Sequence, residues 1–135
     1  MDNFADAHTN LELALALAGS KARTTNDYCQ LGEILNNLGC LSYMCGQPTK
    51  AMKLFRESLD VQLAVLNSTL YGGSPYAGHS ATLNISVTRG NIGFLALVLR
   101  DVSSGILALE AALRVSSQTA SNQCSLLKSD TLLPC

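Results

Sequence analysis

The sequence carries one helical pattern three times, and this repetition restricts the fold more than any other feature. In each copy a small residue is followed, at four, seven and eight positions, by a large apolar residue, a small residue and a leucine. The copies begin at Ala7, Ala51 and Gly105. Steps of four and three residues place the pattern on one face of a helix. The small residue lets a neighbouring helix come close, and the large residue fills the space between them.

A second pattern precedes the second and third copies. The segment at 37–41, NLGCL, returns at 91–95 as NIGFL. Its two occurrences are separated by the same distance in sequence as Ala51 and Gly105, which we call the repeat interval. A glycine inside a helix costs about 1 kcal/mol relative to alanine. Glycines at matching positions, Gly39 and Gly93, therefore predict that another helix packs against the backbone there.

These patterns and the breaks between them predict five helices. They cover residues 4–20, 27–45, 48–67, 79–99 and 102–118. Glycine and proline at 46–48 predict a break, Asp101 is predicted to cap the last helix, and 21–26 and 71–75 are loops on composition. A serine-rich tail, 119–135, follows with a helical turn around Leu126. The only strand candidate, 84–88, lies inside a longer helical pattern.

The composition narrows the function classes. Charged residues make up 14% of the chain, against about 25% on average, so either the chain is unusually buried or part of its surface faces a partner. A net charge of -1 without a basic stripe argues against nucleic acid and anionic membranes as partners. The N-terminal segment lacks the basic start of a secretory signal and is too interrupted to span a bilayer.

The sequence shows no catalytic or metal-binding signature. The five cysteines fit no zinc or redox spacing, which predicts reduced thiols in an intracellular protein, with the cytoplasm favoured and an organelle left open. His8 and His79 are the only histidines, and no local motif joins them to a nucleophile. We therefore expect a non-enzymatic protein without a cofactor or a metal ion.

The spacing of the first complete unit resembles a tetratricopeptide repeat, a helix-turn-helix unit of about 34 residues. The residues that carry the resemblance are Leu35, Leu38, Gly39, Gly46, Ala51, Phe55 and Ser58. The resemblance implies an all-α fold in which antiparallel helix-turn-helix repeats stack as a short right-handed solenoid. The domain 1–118 would contain a half repeat, 4–20, and two repeats, 27–67 and 79–118.

The spacing between copies exceeds the usual length of this repeat. The long spacing, the linker 71–75 and the segment 81–84 are similar to the long-repeat variety found in kinesin light chains. This sequence departs from the family's pattern in two places: Gly105 stands where alanine is usual, and Arg89 stands where Leu35 does in the first unit. The charged residues expected in the second helices of the kinesin light chain variety are largely missing. The resemblance therefore does not imply that this chain binds a partner of kinesin light chains.

In the family that this chain resembles, the first helix of each unit lines a concave binding face. The resemblance therefore implies two sets of residues at the concave face. The first unit supplies Glu33, Asn36, Asn37, Cys40 and Tyr43, and the second supplies Val87, Gly90, Asn91, Phe94 and Leu97. An asparagine amide can bond both N–H and C=O of a peptide, and apolar side chains suit an apolar peptide or a helix. The alternatives stay open: Phe94 and Leu97 as core, both asparagines bonded within the array, and Glu33 as a solvated charge.

Two functions compete at this point. The first is a module that binds a peptide or helix of a protein partner in the concave face. The second is a structural accessory subunit wedged into a larger complex, which the low charge favours. The chain shows about two and a half repeats, and such arrays need about three with polar ends. We therefore expect a partner protein, a second copy or residues of a longer chain to cover the ends.

Overall fold

The structure is a computed structural model that describes the backbone of residues 2–22, 24–70 and 75–130 and the side chains of residues 3–22, 24–69 and 79–121. Within these residues the chain forms five α-helices and no strand. The helices are α1 (Asp2–Lys21), α2 (Thr25–Met44), α3 (Pro48–Leu70), α4 (Pro75–Val98) and α5 (Val102–Asp130). None of the described helices is both long and apolar enough to cross a membrane.

Each helix packs against the next one along the chain, and α2 also packs against α4. Helices α2 and α3 form one helix-turn-helix unit, α4 and α5 form another, and α1 packs on α2 of the first unit. The predicted fold class, an all-α stack of antiparallel helical units, is confirmed. Residues 71–74, which belong to the predicted linker, lie outside the described part of the chain.

Among the described residues the core lies between the helices as three apolar clusters, one of which consists of Cys29, Val65 and Ala81. Leu35 and Leu38 of α2 are buried with Leu54 of α3, and Leu11 and Leu15 of α1 pack against them. In the third cluster, Ala51 and Phe55 of α3 are buried with Leu95 of α4. The clusters that contain Ala81 and Leu95 of α4 therefore join the two units to each other.

The close approach predicted at Gly39 and Gly93 is present in both units. A Cβ atom on Gly39 would lie 2.6 Å from Cε1 of Phe55, and one on Gly93 would lie 2.6 Å from Cγ of Leu109. Phe55 and Leu109 are the large residues of the second and third copies of the helical pattern. The two patterns in the sequence are thus the two sides of one interhelical contact.

A hydroxyl group joins the helices of each unit, but from opposite sides. In the first unit the Ser58 hydroxyl of α3 donates to the Gly32 carbonyl oxygen of α2 at 2.7 Å. One repeat interval later, the Ser86 hydroxyl of α4 donates to the Ala112 carbonyl oxygen of α5 at 3.0 Å. Serine and the small residue have exchanged helices, so the close contact and its hydrogen bond are kept while the sequence differs.

The two turns within the units are also equivalent. Gly46 and Arg100, which are one repeat interval apart, both have a positive φ, at 74° and 65°. The N–H of Gln47 bonds the Ser42 carbonyl oxygen at 2.9 Å, and Asp101 N–H bonds that of Ala96 at 2.9 Å. These bonds are typical of a Schellman motif, in which glycine is the usual left-handed residue.

Replacing Arg100 by glycine should raise the free energy of unfolding by about 1 kcal/mol. The left-handed conformation costs a non-glycine residue about 1–2 kcal/mol. Glycine removes this cost, but its greater freedom in the unfolded chain offsets part of the gain in stability. Urea unfolding followed by circular dichroism measures the change. Gly46→Ala is the control and should lower the free energy of unfolding. A loss of stability in Arg100→Gly would show that the arginine side chain outweighs the backbone strain.

Asp101 caps α5 as predicted, because its Oδ1 accepts from the Ser104 N–H at 3.2 Å. Hydrogen bonds from the side chain and backbone of Ser104 hold the pKa of the Asp101 carboxyl below its ordinary value. The start of α2 was predicted two residues late. Thr24 and Asp27 form a capping box there, in which each side chain accepts from the other's backbone N–H. The helix consequently begins at Thr25.

Helix α5 continues to Asp130, past the predicted end at 118 and through the predicted turn around Leu126. Thr119 is 8% exposed and so belongs to the packed face. The hydroxyls of Ser117, Thr119 and Ser121 donate to carbonyl oxygens three or four residues earlier. Such back-bonding satisfies these hydroxyl groups while the backbone stays helical.

Candidate binding groove between helices α2 and α4

The first helices of the two units, α2 and α4, lie side by side, and polar contacts join them along their length. Asn84 Nδ2 donates to Glu33 Oε1 at 2.8 Å near one end. At the other end the rings of Tyr43 and Phe94 meet edge to face, with centroids 5.7 Å apart and planes at 86°. Because the residue numbers rise together on both helices, α2 and α4 run parallel.

Asn36 and Asn91 link the two helices at the middle of this contact. Asn36 is 9% exposed, and its Oδ1 accepts from Thr88 Oγ1 at 3.2 Å and from Asn91 Nδ2 at 3.0 Å. Asn91 Nδ2 also lies 3.6 Å from Cys40 Sγ. Burial raises the pKa of the Cys40 thiol, so this group stays neutral at neutral pH. These bonds fix the spacing of the two helices.

Asn37 and Asn91 occupy equivalent positions in the sequence but differ in their surroundings. Asn91 donates to Asn36 on the neighbouring helix, whereas Asn37 is exposed. The reason is position in the stack: α4 has α2 beside it, and within the described residues no first helix of another unit precedes α2. The interpretation of Asn91 as a residue bonded within the array therefore gains support, and Asn37 stays available to a partner.

Phe94 and Leu97 also differ in their surroundings. Phe94 is 52% exposed on the side of α4 that meets Tyr43. Leu97 packs towards α5, since a Cβ atom on Gly105 would lie 2.7 Å from Leu97 Cδ2. Leu97 therefore contacts α5 within the second unit, and it is 39% exposed. Val87 is 56% exposed and lies on the side of α4 that faces α2.

Two cavities lie along the groove between α2 and α4. The polar compartment, of about 250 Å³, is lined by Glu33, Asn36, Asn37, Gln62, Asn84, Val87 and Thr88. The apolar compartment, of about 160 Å³, is lined by Cys40, Tyr43, Met44, Phe55, Asn91, Phe94 and Leu95. Of the ten residues predicted for the concave face, eight line one or other compartment, and Gly90 and Leu97 do not.

The floor of the polar compartment contains a glutamine with an unused acceptor. Gln62 is 2% exposed, and its Nε2 donates to Ser58 Oγ at 3.0 Å. The Ser58 hydroxyl proton is already given to the Gly32 carbonyl oxygen, so Ser58 Oγ can only accept from Gln62. This fixes the orientation of the amide. Gln62 Oε1 is buried and has no hydrogen-bond partner among the described residues.

A larger cavity lies outside the groove, between the start of α2 and the second half of α3, at about 460 Å³. Tyr28, Val61, Ala64 and Val65 are among its lining residues. A cavity of about 290 Å³ lies one repeat interval later, where α3 adds Leu63 and Leu66 to the lining. The residues there that correspond to the four above are Thr82, Val115, Gln118 and Thr119. The gap therefore recurs with the repeat, which marks it as a feature of the packing geometry.

Sequence reasoning missed Gln62, Asn84, Thr88 and Met44 as groove residues. Asn84, Thr88 and Asn91 follow one another at steps of four and three, a helical stripe of polar residues that a periodicity test can find. Gln62 lies on the second helix of its unit, which the resemblance did not place at the binding face. The described residues contain no group of three or more histidine, cysteine or acidic side chains that could hold a metal ion.

Comparisons with protein-family models, with curated proteins and with solved structures give no match to this chain. The groove and its residues are therefore the basis for assigning a function.

Proposed function

We propose that the chain is a non-enzymatic protein-binding module of the tetratricopeptide type, which holds a peptide or helix of a partner protein in the groove between α2 and α4. One observation carries the proposal: the exposed side chains of Asn37, Val87 and Phe94 stand on two helices whose spacing is fixed by the buried bonds of Asn36. A rigid surface that combines apolar and amide groups lowers the entropic cost of binding a partner.

The contacts within the units support the tetratricopeptide part of the proposal. In the family that this chain resembles, Gly39 and Ala51 would be the positions where the two helices come closest. Ala51 is 0% exposed, and Phe55 fills the space next to Gly39. An intracellular location belongs to the same proposal, since Cys29, Cys40 and Cys45 are free thiols and such thiols persist in reducing compartments.

Phe94→Ala should weaken binding of a peptide selected against this chain by about tenfold, because the ring supplies exposed aromatic area at the groove. Peptides would come from displayed libraries of helical and unstructured sequences, and fluorescence anisotropy would give the dissociation constants. Leu107→Ala is the matched control, because Leu107 is 63% exposed on α5 outside the groove. Selected peptides that bind Phe94→Ala and the unaltered chain equally, or none selected at all, would contradict the proposal.

A second candidate, a structural accessory subunit of a larger complex, is favoured by the outer face of α5. Ile106 and Leu113 are 48% and 70% exposed. Their counterparts one repeat interval earlier, Met52 and Leu59, are half-buried, and Met52 packs on the cluster that contains Leu95 of α4. A helix packed on α5 as α4 packs on α3 would cover them. Size-exclusion chromatography with light scattering distinguishes the candidates, because only a structural accessory subunit should self-associate or aggregate as an isolated chain.

A further inference from the structure

The two compartments of the groove are copies of each other, displaced by seven residues. On α2 the lining positions 33, 36 and 37 become 40, 43 and 44, and on α4 the positions 84, 87 and 88 become 91, 94 and 95. Beneath them, Gln62 and Phe55 of α3 are also seven residues apart. The groove therefore presents equivalent helix positions twice, once with mostly polar and once with mostly apolar side chains.

The distance between the compartments selects the conformation of a ligand. Seven residues of a helix rise about 10.5 Å. A helical ligand returns to the same face after seven residues with the same rise, and drifts by only about 20°. Same-face residues of an extended strand lie about 6.6 or 13.2 Å apart, and those of a polyproline II helix lie about 9.3 Å apart. A helix therefore matches the spacing, and the polyproline II form misses it by about 1 Å.

The polar compartment combines one acidic side chain with neutral amide and hydroxyl groups. Glu33 is its only ionisable side chain, and it already receives one Asn84 proton. The Gln62 Oε1 at the floor has no partner among the described residues. A side chain that carries several N–H donors and a positive charge complements this set, which is the chemistry of lysine and arginine.

The apolar compartment suits a single apolar side chain. Tyr43, Met44 and Phe94 form its walls, with Phe55 and Leu95 behind them. Its volume is about 160 Å³, and an apolar cavity of about 150 Å³ is known to hold a molecule of benzene's size. A leucine or phenylalanine side chain is of that size.

We infer that the partner segment is an amphipathic α-helix that places a lysine or arginine in the polar compartment and a leucine or phenylalanine, seven residues away, in the apolar compartment. The inference rests on the proposed function, because it specifies the ligand of the same groove. The helix lies along α2 and α4, and both chain directions are compatible with the spacing.

The spacing is tested with synthetic helical peptides of about five turns, rich in alanine and glutamine. Two carry lysine and leucine seven residues apart, in either order, and should bind at least fivefold tighter than matched peptides with a spacing of five. Five residues turn a helix by about 140° away from the first face. NMR titration of the labelled chain gives the affinities, and the shifted amides should lie on α2 and α4. A proline-rich peptide with lysine and leucine three residues apart represents the polyproline II alternative.

The chemistry is tested with matched variants. Glu33→Gln should weaken binding of the seven-spaced peptides, those with lysine and leucine seven residues apart, by about two- to fivefold, the range of an exposed ion pair. Glu110→Gln on α5 should leave this affinity unchanged. Replacing the peptide lysine by glutamate should weaken binding further. Equal affinity of the lysine and glutamate peptides would overturn the basic part of the inference.

The outcomes separate this inference from the function on which it rests. If library-selected peptides bind the groove but the seven-spaced peptides bind no better than the five-spaced ones, the inference is overturned and the proposed function stands. Tightest binding of the proline-rich peptide overturns the helical conformation in the same way. If no peptide, selected or designed, shifts amides of α2 and α4, both are overturned.

Discussion

Phe55→Ala should lower the free energy of unfolding by about 3–5 kcal/mol, the usual cost of truncating a buried aromatic residue. Phe55 is 3% exposed. It fills the space above Gly39, it shares a buried cluster with Leu95 of the second unit, and it lies under the apolar compartment. The substitution therefore leaves a cavity where the two units meet. Urea unfolding monitored by circular dichroism measures the loss, which is a large fraction of the stability of a typical small domain.

Two variants make this result specific to the position. Phe55→Leu installs the residue found at the equivalent position of the second unit, Leu109, and should cost less than half as much. Phe94→Ala removes an aromatic ring that is 52% exposed and should cost about 1 kcal/mol, the value of its edge-to-face contact. If Phe55→Ala cost no more than Phe94→Ala, Phe55 would not be a main packing contact between the two units.

The contacts within each unit could be predicted from the sequence because they join residues in a repeated local pattern. Gly39 and Gly93 have a cost in a helix that only close packing explains, and the large residues that meet them recur at the same repeat interval. The turns follow from the same logic, with Gly46 at one and Asp101 capping the helix after the other. Local spacing and residue size were sufficient for both.

The contacts between the units could not be predicted in this way. The bond from Asn91 to Asn36 depends on how α2 and α4 lie relative to each other, and neither helix carries a local pattern that fixes this relation. The sequence therefore suggested equal roles for Asn37 and Asn91, whereas only Asn37 is exposed. Gln62 was missed for a related reason, since its unused acceptor follows from the hydrogen bond between Ser58 and Gly32, on two different helices.

The end of α5 shows a different limit of prediction from the sequence. Serine and threonine predicted a tail because their side chains compete with the helix backbone for hydrogen bonds. In the structure these hydroxyls bond carbonyl oxygens of the preceding turn, and Thr119 is buried. Packing against the rest of the second unit outweighs a weak local preference, as is usual for helix propensity.

Gly93→Ala should lower the free energy of unfolding by about 1–2 kcal/mol, although alanine is the better helix former by about 1 kcal/mol. The new methyl group would lie 2.6 Å from Leu109 Cγ and 3.0 Å from the Gly105 carbonyl oxygen. The leucine can move only within a packed helix pair, and the carbonyl belongs to the backbone of α5. The cost of separating the two helices therefore exceeds the gain in helix propensity.

Gly90→Ala is the matched control, one turn earlier on the same helix. A Cβ atom at Gly90 would meet nothing within 4 Å, so this substitution should raise the free energy of unfolding by about 1 kcal/mol. The opposite signs matter more than either magnitude, because helix propensity, the unfolded chain and the unfolding measurement are common to both variants. If both substitutions stabilised the protein, α4 and α5 would not be in close contact at Gly93, and the repeated glycine would have no structural role in the second unit.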